Sequence, residues 1–444
     1  MSTCTVLGAC AASSAGSNAE KTEAAAPADA IPEQPNILLM LADDLGYGDL
    51  GSYGNRKIAT PNLDRLAREG MRFSSFYTNG STCTPTRLSL LTGRYPQRLG
   101  AYGGLKIDSD WGLPAGTKTL AHELRRGGYE TVHVGKWHLG HVHQEHQPLA
   151  HGFERFFGFL HAHQLPKTYR NPRLRSGQGP EAAHDGHLTE LLTDRAIAFL
   201  EGRTGEDRPF FLNLWYFSPH KPLQPPARWA ERYADSEQGR YAAMVSSLDE
   251  AIGRLLKALE DRGLERETVV IFLSDNGGVW DLHEGRNGPL RGGKTQLFEG
   301  GIRAPLIVRW PGRVAAGSVS SEVTASFDAY PTLLEIAGVE PPLEIDGRSL
   351  LPVLEGDGMA SERALFWEEI YAGRKQGAVR AGRWKLTLGG TARLFDLEHD
   401  PGEASDLATR YPGVVDRLRS AYGSWRSEMP DPVLPDPTAP TTER

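Results

Sequence analysis

The sequence predicts an α/β fold, with a large, mostly parallel central sheet flanked by helices and a small C-terminal antiparallel sheet closed by a helix. Continuous apolar runs such as Asn36–Ala42 (NILLMLA) suit strands covered on both faces, as in a parallel sheet. Helical patterns separate these runs, the alternation expected of βαβ units. Beyond Pro342 the texture changes to short, closely spaced strand candidates, which points to a separate antiparallel unit.

Taken in order, residues 1–34 are Ala/Ser-rich without periodicity and read as a flexible leader or linker. Within them Leu7-Gly8-Ala9-Cys10 resembles the lipobox of bacterial lipoproteins, in which the cysteine is lipidated. That resemblance implies a membrane tether through Cys10 and an exported, periplasmic or membrane-anchored protein. The nine residues before Cys10 hold neither a basic nor an apolar segment of signal-peptide length, so a plain tail stands as the alternative. The main domain, 35–341, carries apolar runs at Asn36–Ala42, Glu130–Val134, Pro209–Phe217, Thr268–Leu273 and Ala304–Val308. Helices are predicted over Asn62–Glu69, Thr117–Arg126, Leu188–Leu200 and Tyr241–Leu259. The C-terminal unit, 342–429, offers strands at Leu365–Glu369, Ala378–Ala381, Trp384–Leu388 and Ala392–Asp396, then a helix near Val414–Trp425. Residues 430–444 are rich in Pro, Asp and Thr and read as a disordered tail.

Composition narrows the function. With 39% hydrophobic residues in 444, the chain can build a sizeable core, and no apolar run approaches the ~18 residues of a membrane helix. The net charge of −7 argues against nucleic-acid binding driven by bulk electrostatics, so an anionic ligand needs a local cluster of Lys, Arg and His. Of the cysteines, Cys4 and Cys10 lie in the leader and Cys83 stands alone in the body, which leaves no internal disulfide framework.

In open α/β sheets, ligands bind beyond the carboxyl ends of the strands. Four runs end in chemistry-bearing residues: Asp43-Asp44, then Lys136 to His138, then His220-Lys221, then Asp275-Asn276. Asp43, Asp44, Asp275 and Asn276 are oxygen donors only. Adjacent carboxylates at the end of a buried strand repel one another, and oxygen-only ligation points to Ca²⁺, with Mg²⁺ second, rather than zinc. Each could also serve as a cap or turn residue. Cys83 precedes Pro85 and the run LSLLTGR, which puts it at a helix N-terminus, where free N–H groups favour developing negative charge. Arg87, one turn on, points to the same place.

The segment Cys83-Thr84-Pro85-Thr86-Arg87, followed by Leu90-Leu91-Thr92-Gly93, resembles the signature of the formylglycine-dependent (type I) sulfatases of the alkaline phosphatase superfamily. A second signature of that family appears as Gly128-Tyr129-Glu130-Thr131 and Gly135-Lys136-Trp137-His138-Leu139-Gly140. LADDLGYGDLG, SPHKP, SDNGG and GGKTQLFEGGIRAP stand in the family's order, and the likeness runs over roughly 35–425. It is nearest to arylsulfatases and N-acetylgalactosamine-6-sulfatase-like enzymes. The resemblance implies that Cys83 is converted to formylglycine by a formylglycine-generating or radical maturation enzyme. It also implies that Asp43, Asp44, Asp275, Asn276 and the modified Cys83 bind calcium. One hydroxyl of the hydrated aldehyde would attack sulfur, and loss of the second hydroxyl's proton would expel sulfate and restore the aldehyde. Arg87 and His138 would orient and activate the diol, Lys136 and Lys294 would neutralise the sulfate oxygens, and His220 would protonate the leaving oxygen. The implied substrate is a sulfated carbohydrate or an aryl sulfate.

Some family members carry a serine where Ala162 stands here, between His161 and His163, so those two histidines are candidate substrate contacts. Trp280, Asp281, His283, Arg286 and Asn287 follow SDNGG in a loop expected to face the cleft, as candidates for sugar recognition. Eight of the 14 histidines lie between His133 and His163; with no cysteine partners nearby, this segment reads as a hydrated, substrate-facing loop rather than a zinc or copper site. Trp229, Trp367 and Trp384 read as core or interface residues. Two other functions fit parts of the pattern: a phosphate or phosphonate ester hydrolase on the same scaffold, and a lipoprotein that binds sulfated glycans without cleaving them.

Overall fold

Every residue of the strand Asn36–Asp43 (β1) is buried, and its side chains alternate between two separate cores. Ile37, Leu39 and Leu41 pack with Leu88, Leu91, Leu124 and Leu333, while Leu38, Met40 and Ala42 pack with Leu63, Leu192 and Leu248. A strand sandwiched in this way must be apolar throughout, which is why it reads as a continuous run. The structure is a computed structural model and describes residues 1–3, 5, 32–163, 167–205, 207–279, 287–359 and 361–433.

Among the described residues β1 sits near the middle of a ten-stranded sheet. The other strands that matter for the site are Glu130–Lys136 (β2), Arg155–Phe159 (β3), Phe210–Pro219 (β4) and Thr268–Ser274 (β5). They lie side by side in the order β5-β1-β4-β2-β3, and every neighbouring pair is parallel. Their carboxyl ends therefore share one edge of the sheet. Helices cover both faces: Cys83–Thr92 (α1) and Leu120–Arg126 (α2) on one, Leu188–Glu201 (α3) and Glu237–Asp261 (α4) on the other. No helix among the described residues is long and apolar enough to cross a membrane.

Several expected boundaries and one expected direction change. The run Ala304–Val308 forms the strand Leu306–Arg309 (β6), which pairs antiparallel with β5. An apolar run reports that both faces are covered; direction depends on the connection, and the loop after β5 returns without crossing to the far edge. α4 starts a turn earlier than its apolar stripe because Ser236 caps it, accepting from the Gly239 N–H at 3.0 Å. α2 starts at Leu120 rather than Thr117, since Thr119 is its cap and accepts from the His122 N–H.

The C-terminal strands Ala364–Tyr371 (β7), Arg374–Ala381 (β8), Trp384–Leu388 (β9) and Arg393–Asp396 (β10) form an antiparallel sheet in sequence order. The helix Pro412–Ser427 (α5) closes one face, with Val415 and Leu418 on Val379, Leu386 and Leu394. The other face docks on the main body through Leu365, Trp367 and Ala378, which pack with Tyr77, Tyr95 and Tyr102. Trp367 is thus an interface residue; Trp229 anchors to Glu250 of α4, and Trp384 packs on Tyr411 within the small unit. Residues 430–433 do not behave as a loose tail. Tyr102 donates its hydroxyl to the Pro430 carbonyl at 2.6 Å, and the Val433 N–H donates to the Gly100 carbonyl at 2.9 Å.

A buried ionic knot holds the two units together. The Lys385 ammonium lies 2.9 Å from Glu299 and 3.0 Å from Glu403, with all three side chains fully buried. Replacing Lys385 with Met removes the cation that the two buried carboxylates share and leaves Glu299 with Arg303 at 3.3 Å, so the variant should lose about 3–5 kcal/mol of stability in denaturant unfolding.

Candidate active site

The polar residues that follow β1, β2, β4 and β5 meet at the shared edge. Asp43 ends β1, and Asp44 follows in the left-handed region at φ 66°, a turn that swings its carboxylate across the strand end. The Asp44 N–H donates to Asp275 Oδ1 at 3.2 Å, which ties the ends of β1 and β5 together. α1 is buried along its whole length and directs its first residue, Cys83, at this edge. Cys83 Sγ lies 3.4 Å from Asp43 Oδ1. Thr82, at the N-cap position, does not cap the helix, so its first N–H groups keep their free partial charge.

Three cations interleave with the carboxylates. Arg87 donates to Asp275 Oδ2 at 2.8 Å, to Asp43 Oδ2 at 3.3 Å and to the Lys136 carbonyl at 3.0 Å, with its guanidinium over the Trp215 ring. Lys136 Nζ sits 2.5 Å from Asp43 Oδ2, and Lys294 Nζ sits 2.6 Å from Asp44 Oδ1. Both ammonium groups also face Cys83 Sγ, at 3.6 and 3.7 Å.

This crowding sets the protonation states. Burial alone would push Asp43 up, but Lys136, His220, Arg87 and Lys294 outweigh it and hold the carboxyl well below its usual range. Asp275 goes the other way, pushed up to about 6 by burial and by the charge of Asp43, against Arg87. The Cys83 thiol is pushed far up by burial and by Asp275 and Asp43, so an unmodified thiolate is disfavoured here. His138 is kept neutral by burial and by Lys136; its Nε2 donates to the Leu105 carbonyl at 2.9 Å, which leaves Nδ1 as its acceptor. His220 is pushed down to about 4 by burial against the pull of Asp44; its Nδ1 donates to the Lys221 carbonyl at 2.6 Å, and its Nε2 stands 3.6 Å from Asp44.

The residues present suit a hard cation. Asp43, Asp44 and Asp275 each turn an oxygen toward one small volume beside Cys83 Sγ, the four ligand atoms lying within 4.8 Å of one another. Asn276 donates its Nδ2 to Asp44, while its Oδ1 is buried and has no donor among the described residues. An unsatisfied buried amide oxygen beside three carboxylates is a ready cation ligand, and an all-oxygen set matches calcium or magnesium.

A cleft of about 340 Å³ opens above Cys83, lined by Lys136, His138, His220 and Lys294 and walled by Leu105, His163 and Tyr371. Ala162 and His163 line this cleft. His161 does not line it: its ring packs 4.3 Å from that of His141. The histidine-rich segment is not one hydrated loop either. His133 and His151 are fully buried, His133 bonded to Asn213 and ringed by Trp137, Phe153, Phe156 and Trp215. Asn287 is a loop brace, donating to the carbonyls of Gly278 and Gly292 from a buried position, and not a sugar contact. Trp280, Asp281, His283, Arg286 and Cys10 lie outside the described residues.

Sequence patterns missed the contribution of β7. Glu369 accepts from the Ser81 N–H at 2.9 Å and from the hydroxyls of Ser81 and Thr82, the two residues before Cys83. Nothing local marks this glutamate, which reads as one polar position in a half-exposed strand. Glu369→Ala strands these buried donors and should cost about 1–3 kcal/mol, measurable by urea unfolding.

The Sulfatase family profile matches residues 35–339, and the profile described as N-sulphoglucosamine sulphohydrolase, C-terminal, matches 293–421. Arylsulfatase A of Bos taurus is 38% identical over 431 residues, which cover 85% of this chain and 84% of that protein. N-acetylgalactosamine-6-sulfatase of Canis lupus familiaris is 38% identical over 383 residues, 80% of this chain and 72% of that one. Among solved structures, Ps i-CgsB in complex with k-i-k-neocarrahexaose superposes with a TM-score of 0.85 at 30% identity, over 90% of this chain and 94% of that one. The chain belongs to the sulfatase family of the alkaline phosphatase superfamily, enzymes that hydrolyse sulfate esters.

Proposed function

We propose that the chain removes sulfate from a sulfated carbohydrate, with formylglycine made from Cys83 as nucleophile and calcium held by Asp43, Asp44, Asp275, Asn276 and the modified residue 83. The observation that carries this reading is the meeting of Cys83, at an uncapped helix N-terminus, with an all-oxygen donor set and three cations. The depressed acidity of the thiol supports it too, since an unmodified Cys83 is a poor nucleophile in this field. Calcium suits a cluster of mixed carboxylate and amide donors better than magnesium, which demands a stricter octahedron. When present, the cation neutralises charge on the sulfate oxygens and the aldehyde hydrate supplies the attacking oxygen.

The chain's own residues supply the rest. Lys136 and Lys294 bind the sulfate oxygens, a role supported by their position on either side of Cys83 Sγ. Arg87, braced by Asp43, Asp275 and Trp215, fixes the charge of the first helical turn and favours an anionic nucleophile. His138, with its Nε2 proton committed to Leu105, has Nδ1 free to accept a proton from the nucleophile. His220 donates to the leaving oxygen through Nε2; the negative charge of a bound sulfate ester favours the imidazolium that this task needs. A sugar substrate accords with an open cleft lined by Lys136, His138, His163, His220 and Lys294, with the sugar in the name N-acetylgalactosamine-6-sulfatase and with the neocarrahexaose bound by Ps i-CgsB. Export with a tether at Cys10, and a maturation enzyme as partner, complete the reading.

The first test is the mass of the Cys83 peptide in protein from its native host. Replacement of the thiol by an aldehyde is expected; a fully alkylatable thiol in active enzyme would overturn the mechanism. Cys83→Ala should lower kcat at least ~10³-fold. His220→Asn should cost roughly 10²–10⁴-fold on sugar sulfates and far less on 4-nitrophenyl sulfate, whose leaving group needs no proton. Chelation should lower both activity and Tm, and Ca²⁺ should restore both; matched esters should release sulfate in preference to phosphate.

A further inference from the structure

The face of β7 turned to the main body tracks the segment that leads into Cys83. Trp367 donates its indole N–H to the Thr78 carbonyl at 2.8 Å. Two residues on, Glu369 takes the donors of Ser81 and Thr82. Two residues further, with the period of a strand, Tyr371 emerges into the cleft beside Cys83, Lys136, His220 and Lys294. The chain then reverses through Ala372 and Gly373, both left-handed at φ 52° and 70°, the conformation of a tight two-residue hairpin. Tyr371 and Arg374 form its last pair, so their side chains leave the same face of the sheet with Cβ atoms about 5 Å apart.

Arg374 is exposed and its side chain has no ion-pair partner among the described residues. Lys375, the next residue along the strand, is by contrast paired with Glu368. An aromatic ring in the cleft wall and a guanidinium beside it, unpaired among the described residues, form a surface for a ring that carries an anion.

We infer that this hairpin tip is the leaving-group subsite. Tyr371 packs against the sugar ring that bears the scissile ester, and Arg374 receives a second anionic group, sulfate or carboxylate, on that ring or its neighbour. The preferred substrate is accordingly a polyanionic carbohydrate rather than a neutral aryl sulfate. The inference rests on the sulfate ester reading above and assigns the part of the cleft away from the sulfur.

The test compares four sulfate esters on the matured enzyme: 4-nitrophenyl sulfate, a monosulfated disaccharide, and the same disaccharide with a second sulfate or with a carboxylate. For wild type, kcat/KM should be highest on the doubly anionic sugars and fall with added salt. Tyr371→Ala should lower the ratio of disaccharide to 4-nitrophenyl sulfate kcat/KM roughly tenfold, while Tyr371→Phe keeps it. Arg374→Ala should raise KM for the doubly anionic sugars about five- to tenfold without changing kcat, with Arg374→Lys intermediate. Comparing the two doubly anionic sugars tells which anion Arg374 takes. Equal losses on all four esters, or a preference for the second anion that survives Arg374→Ala, would overturn the subsite. A wild-type enzyme that releases phosphate but no sulfate would instead remove the reading on which it stands.

Discussion

Three carboxylates buried within a few ångströms of one another at the ends of two adjacent strands cannot all ionise without compensation. Asp43, Asp44 and Asp275 create that problem, and much of the structure answers it. Arg87 comes from the first turns of α1, Lys136 from the end of β2 and Lys294 from the loop after β5. Each must arrive at the same point, which the parallel order β5-β1-β4-β2 makes possible by placing all four carboxyl ends on one edge. Asp275, raised by burial and by the charge of Asp43, is the carboxylate least compensated, and the Asn276 oxygen, without a donor among the described residues, marks where a cation would relieve it.

The same field decides what Cys83 can be. A thiol at a helix N-terminus beside an arginine is commonly acidified, but here burial and the charges of Asp275 and Asp43 reverse the sign. The proposed conversion to a hydrated aldehyde would replace a group that must ionise with oxygens that a cation, an arginine and a neutral histidine could all address. The modification proposed for residue 83 is compatible with this field, in which an unmodified thiolate is disfavoured.

The C-terminal unit takes part in the site as well as in stability. β7 lies along residues 78–83 and braces the approach to Cys83 through Glu369, while Lys385 and Glu403 secure the loop that carries Lys294. Its docking surface is aromatic and apolar around this buried ionic knot, so movement of the small sheet would expose charge and is strongly resisted.

By itself the sequence determined the α/β class, the buried strands, the residues at their ends and the helix start at Cys83. These are local matters, since covering both faces of a strand demands an apolar run and a helix start leaves its mark within four residues. The family motifs are local in the same way, and Asp43, Asp44, Cys83, Arg87, Lys136, His138, His220, Asp275, Asn276 and Lys294, to which they assign roles, all reach the shared edge. What local pattern could not carry is contact between distant positions. Glu369 meets Ser81 across 288 residues, His163 faces the cleft while His161 does not, and His133 is a core residue despite its histidine-rich company. The antiparallel direction of β6 and the docking of residues 430–433 likewise follow from the route of the chain and the surfaces it meets. Tertiary structure alone decided these, because packing selects among side chains by shape and charge at a point in space, and adjacency in sequence says nothing of that point.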